Sequence, residues 1–108
     1  MAYKVKITPL AVSQLKETVT YISETLLVPE IAAKWLDLLK REISTLDSLP
    51  NRFPLTDEEP WRSKGVRKQL VKGFIVYYLV DKNQSTVTVI AVVYGRRDQV
   101  VALSNIDI

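Results

Sequence analysis

The stretch "VRKQLVKGFIVYYLVDKNQSTVTVIAVVY" (66–94) constrains the fold more than any other part of the chain. Three runs rich in Val, Ile and Tyr (66–72, 74–80 and 86–94) are separated by Gly73 and by "DKNQS". β-Branched and aromatic residues suit a pleated surface, and connections this short join neighbouring antiparallel strands. A three-stranded antiparallel meander is expected. "FIVYYLV" and "IAVV" are apolar on both faces, more than a sheet with one wet face requires. The second face is therefore expected to be covered, in a cleft or by a partner. Tyr77 and Tyr78 are consecutive and must point to opposite sides of their strand.

Upstream, "YKVKIT" (3–8) alternates and predicts a strand with Tyr3, Val5 and Ile7 facing one way. Thr8 stands where a helix N-cap belongs and Pro9 where the first helical residue does without its N–H. Leu15, Val19, Ile22 and Leu26 then recur at helical spacing, with Lys16, Glu17 and Glu24 off that stripe. Pro29 opens a second helix whose stripe is Ile31, Trp35, Leu39, Ile43 and Leu46, ending before Pro50, with Trp35 as a packing residue. Two helices of about 16–20 residues, about 24–30 Å long, form an antiparallel hairpin. Neither stripe is satisfied by the other helix alone, so a sheet must cover both. "PNRFPLTDEEPWRSKG" (50–65) holds three prolines and reads as a loop; Asp57, Glu58 and Glu59 suit a solvated turn, and Trp61 either plugs the sheet edge or meets a partner. The expected fold is α+β, ordered β-α-α-β-β-β: an antiparallel sheet with an N-terminal helical hairpin on one face. Its 108 residues make one domain, 1–108.

Composition narrows the chemistry. The chain has no cysteine, so neither disulfides nor thiolates are available. It has no histidine either, which removes imidazole-based triads, zinc sites and the usual general base near neutral pH. No metal site and no cofactor are expected. No apolar run reaches the roughly 18 residues that span a bilayer, and the alternating start is unlike a signal peptide, so a cytoplasmic protein is expected. Residues 1–60 carry seven basic and nine acidic side chains, a net of −2; residues 61–108 carry eight and three, a net of +5. The basic half is the one that would steer a polyanion or an acidic partner.

The order of elements, together with "RKQLVKGFIVYYLVDKNQSTVTVIAVVYGRRD" (67–98), resembles the RelE/ParE superfamily of bacterial toxins from type II toxin–antitoxin modules. The shared pattern is an arginine-bearing strand, a glycine turn, an aromatic-rich strand and a last strand closing in "YGRRD". "TPLAVSQL" and "AAKWLDLL" sit where relatives carry comparable helical segments. The resemblance implies a growth-inhibiting toxin, and a cognate antitoxin whose C-terminal segment wraps its apolar and basic surfaces. For ribosome-dependent members it implies mRNA cleavage through attack of the ribose 2′-hydroxyl, by basic residues on the open sheet face. Arg67 then matches a basic position on the first meander strand, Arg96 the arginine closing the last, and Arg97 with Asp98 completes the signature. The chain departs from that pattern at Ile75, where an arginine is common, at Gln69, at Tyr94, often histidine, and in "VVALSNIDI", which lacks the terminal tyrosine.

Arginine pairs with phosphate oxygens through its planar fork but is a poor base, so Arg67, Arg96 and Arg97 would bind and stabilise charge. Tyr94 or Tyr77 would act as acid or stack a base, Gln69 would contact substrate, and Lys64, Lys68 and Lys72 would hold the backbone. Endoribonucleolytic mRNA cleavage, with ribosome and mRNA as partners, is the leading expectation. The rivals are a ParE-like inhibitor that binds DNA gyrase and a non-toxic RNA-binding or scaffold protein.

Overall fold

A computed structural model of the chain describes residues 2–20, 24, 29–71 and 73–94. Ile22, Leu26, Lys72, Arg96, Arg97, Asp98 and the final segment "VVALSNIDI" lie outside them.

Strand β1 (Lys4–Ile7) leads into helix α1 (Pro9–Thr20), followed by helix α2 (Pro29–Ser44). The Thr8 hydroxyl accepts the Ala11 N–H at 3.2 Å, the N-cap its position predicted. Short 3₁₀ turns at Thr45–Asp47 and Pro50–Arg52 follow, and then the meander of β2 (Arg67–Val71), β3 (Phe74–Asp81) and β4 (Thr86–Tyr94). Gly73, at φ +83°, takes the left-handed conformation that turns β2 into β3. At the next turn the Asp81 carboxylate accepts the N–H groups of Asn83 and Gln84.

The four strands form one sheet in the order β1-β4-β3-β2. The meander is antiparallel as expected, but β1 pairs with β4 in parallel, Lys4 beside Thr86 and Ile7 beside Val89. The sheet is therefore mixed. A parallel pair needs a long connection, and the passage through both helices, the 45–66 segment, β2 and β3 supplies one.

Both faces of the sheet bury apolar side chains, though Leu70, beside Ile75 on the far side, is 70 % exposed. On the helix side Leu39, Ile43, Phe74, Val76, Tyr78 and Val92 pack with Ala11 and Leu46, and Trp35 meets the Phe74 ring edge-on. On the far side Val66, Ile75, Tyr77, Ile90, Ala91 and Val93 are buried, with Trp61 and Leu79 packed against them. The expected cover of the second face comes in part from the 50–65 loop of the chain itself, where Trp61 serves as core. Residues 54–56 also line the outer edge of β2: the Lys68 N–H donates to Pro54 O and the Thr56 N–H to Val66 O.

A β-bulge sets which side chains reach which face. Tyr77 pairs with Ala91 and Tyr78 with Val89, so Ile90 has no opposite number. Ile90 and Ala91 consequently both face the far side, and the alternation beyond them is reversed. The Val92 N–H donates to Gln14 Oε1 of α1 at 2.8 Å, while Ile90 O accepts the Thr8 hydroxyl at 3.4 Å.

Candidate functional site

Arg67 opens β2 beside Tyr78, on the helix side of the sheet. Its guanidinium donates to the carbonyls of Phe53 at 2.7 Å and Asn51 at 3.3 Å. The Tyr78 hydroxyl donates to Pro50 O at 2.6 Å. Burial pushes the Tyr78 phenol up to about 12, with Arg67 and Arg52 opposing the shift. Arg52 donates to the carbonyls of Thr45, Ser48 and Leu49 and stacks over the Phe53 ring at 4.6 Å. Two arginines thus tie down the 45–53 segment by donating to its carbonyls, those of Thr45 and Leu49 also accepting a backbone N–H.

Gln69 follows on the same face and is 1 % exposed. Its amide donates to Glu42 O of α2 at 3.1 Å, and its Oε1 has no partner among the described residues. Tyr94 also turns to the helix side, its ring 4.9 Å from that of Phe74 and 5.9 Å from that of Trp35. Register places Tyr94 beside Phe74, which pairs with Val71, at the end of the sheet opposite Arg67. Four residues along the strand and two strands across put Arg67 and Tyr94 roughly 16 Å apart at Cα.

The far face carries the other pair of candidates. Lys68 is bound to Asp57 at 3.6 Å, and Asp57 also meets Arg62 at 3.9 Å. Beside Lys68, Tyr77 is wholly buried and its hydroxyl has no hydrogen-bond partner among the described residues. Desolvation, reinforced by the Glu58 carboxylate, pushes its phenol up to about 12. Glu58 itself accepts the Thr56 hydroxyl.

The described candidates therefore do not converge. Arg67, Gln69 and Tyr94 lie on the helix-covered face, whereas the expected basic site was on the open one; Lys68 and Tyr77 lie on the other side. Gln69 and Tyr77, expected to contact substrate, are closed off from solvent. Arg96, Arg97 and Lys72 lie outside the described residues. Missed by the sequence reading was Arg52, whose carbonyl partners only the folded 45–53 turn creates. Among the described residues no group of acidic side chains is placed to hold a metal ion, and no helix is long and apolar enough to cross a membrane.

Comparison with known proteins adds the following. The family described as "ParE toxin of type II toxin-antitoxin system, parDE" matches residues 5–99. No curated protein matches the chain. Among solved structures, the chromosomal ParDE toxin–antitoxin system of P. aeruginosa aligns with a TM-score of 0.71 at 18 % identity, over 88 % of this chain and 98 % of that one. A RelBE2 toxin–antitoxin complex of Mycobacterium tuberculosis aligns at 0.61 and 20 % identity, over 87 % and 92 % of the two chains. Free E. coli RelE toxin, with two arginines changed to alanine, aligns at 0.63 and 18 % identity, over 99 % and 100 %. These identities speak to the fold alone.

Proposed function

The chain belongs to the ParE toxin family of type II toxin–antitoxin systems, and from that premise we propose that it arrests growth by binding DNA gyrase, restrained by a cognate antitoxin, rather than by cleaving RNA. The carrying observation is what the described basic and aromatic candidates already do. Cleavage through a 2′-hydroxyl needs cations converging on one phosphate and groups that exchange protons at both of its ends. One guanidinium nitrogen of Arg67, Nη1, is taken up by the Asn51 and Phe53 carbonyls, and Tyr94 is packed against Trp35 and Phe74. Tyr77 holds its proton more tightly than an ordinary phenol and sits out of reach of solvent. Arg67 and Tyr94 stand roughly 16 Å apart at Cα. Ile75 and Gln69 further weaken a nuclease reading, since both replace cations expected of one and both are buried. A toxin that works by occupancy needs none of this chemistry. The +5 half of the chain suits an acidic partner, as the antitoxin segment would be.

The deciding experiment pairs two assays on the purified protein. Supercoiling by gyrase should be inhibited in a dose-dependent way and restored by antitoxin, while primer extension on mRNA from induced cells should show no codon-phased breaks. Phased breaks with unaffected gyrase would replace this reading with mRNA cleavage. Absence of growth arrest on induction would leave the scaffold alternative.

A further inference from the structure

Leu49 is 78 % exposed, more than any other large apolar side chain among the described residues. Its backbone lies in the left-handed region, at φ +48° and ψ +54°. There a Cβ crowds the following carbonyl, and a bulky residue is an outlier. Pro50 adds to the cost, because the residue before a proline is driven towards extended conformations. The surroundings nevertheless fix it. Leu49 O accepts the Arg52 N–H at 3.1 Å and Arg52 Nη1 at 3.2 Å, and the same Nη1 donates to Ser48 O at 2.6 Å. On the other side Pro50 is buried, its carbonyl bonded by the Tyr78 hydroxyl. Arg67 holds the stretch beyond, at Asn51 and Phe53. Glycine or asparagine would take the Leu49 backbone with less strain, and a side chain left in water contributes little to the core. An apolar side chain is thus presented to solvent at a cost in stability, on a turn fixed from both sides. Strain that the surroundings over-determine in this way clusters at sites that bind.

We infer that Leu49 is the anchor by which the chain seats on gyrase, entering an apolar pocket of that enzyme, an assignment that rests on the gyrase reading above. An apolar group already set on a rigid turn loses little conformational freedom on binding, and a few such anchors carry most of the energy of an interface. Arg52, itself exposed, lies over the Phe53 ring at 4.6 Å and flanks the anchor with an arginine–aromatic pair, residue types enriched at interfaces. The antitoxin fits this turn less well. Residues 45–55 carry Asp47 and Arg52 as their only charges, and these cancel, so the turn has no surplus charge to draw an acidic segment.

The test uses the full chain, purified gyrase and the full-length cognate antitoxin. Leu49→Asn suits the left-handed backbone and should raise the folding equilibrium constant about threefold or more, read from urea unfolding. The same variant should need about tenfold more protein, or more, for half-inhibition of supercoiling, while its affinity for antitoxin stays that of the parent. Leu49→Met keeps an apolar side chain of similar volume and should inhibit as the parent does. Leu70→Asn removes the other highly exposed leucine, 70 % exposed on β2, and should also leave inhibition unchanged. Full inhibition by Leu49→Asn would overturn the inference, as would equal losses in Leu49→Asn and Leu70→Asn. A Leu49→Asn protein no more stable than the parent would remove the strain on which the inference stands. Loss of antitoxin binding with inhibition intact would make Leu49 an antitoxin contact, and the inference would again fail. A parent chain that leaves supercoiling untouched would sink the gyrase reading itself, a result read without any variant and so separable from the rest.

Discussion

Arg67 shows how a residue that resembles a catalytic position can be committed to structure. Its two carbonyl partners, Asn51 and Phe53, lie 16 and 14 residues away, and no local pattern announces them. Arg67→Ala leaves those carbonyls short of a charged donor and should cost about 1–3 kcal/mol in urea unfolding. Arg67→Lys should recover part of that, because both carbonyls are bonded by the single nitrogen Nη1 and an ammonium can also donate to two acceptors. Gyrase inhibition by the folded fraction of Arg67→Ala should match the parent; a folded variant that inhibits poorly would return Arg67 to the target-binding surface. Tyr77 offers the converse case, a polar atom buried without return. Tyr77→Phe removes that hydroxyl and should be neutral or stabilising by up to about 2 kcal/mol. The phenols of Tyr77 and Tyr78 are both raised from 10 to about 12 in the fold. Above pH 10 the unfolded chain releases their protons first, so their contribution to stability is intact below pH 10 and is lost as pH rises towards 12. The slope of stability against pH across that window should therefore be shallower in Tyr77→Phe than in the parent. An identical slope would mean that Tyr77 titrates normally.

At the scale of elements, punctuation was readable and phase was not. Thr8 before Pro9, Gly73 between two β-rich runs and the helical stripes each carry a local physical signal, and the described elements start where that signal put them, with Ile22 and Leu26 of the first stripe outside the described residues. The run "TVTVIAVVY" carries no such signal for its faces, because residues apolar on both sides leave the period-two pattern without a phase. The bulge at Ile90 therefore could not be read, although it decides that Tyr94 faces the helices. The parallel seat of β1 was equally hidden, since alternation in a strand does not name its neighbour. The side chain of Gln14 completes the bulge, because Val92 N–H would otherwise lack an acceptor. Gln14→Ala should destabilise by about 1–3 kcal/mol with no change in the helical stripe. Hydrogen exchange at Val92 should accelerate more than at its neighbours; uniform acceleration would show that Gln14 acts only through α1.

Across the whole molecule, one sheet is shared by two apolar layers, and β3 contributes alternate residues to each: Phe74, Val76 and Tyr78 to the helix side, Ile75 and Tyr77 to the other. Neither layer can lose its sheet face without stripping the other, so both should unfold in one step. The chain places its own reporters for this. Its two tryptophans, Trp35 and Trp61, pack against opposite layers. Trp35→Phe leaves fluorescence to report the far layer, and Trp61→Phe leaves it to report the helix layer. In each variant the urea midpoint by fluorescence should coincide with that by far-ultraviolet circular dichroism. The two variants will differ from one another in stability, so the comparison belongs within each protein. A far layer that melts ahead of the sheet in Trp35→Phe would mean that the 50–65 loop lifts independently. Tyr77 would then be reachable from solvent before global unfolding, and its burial would not withhold it from a target.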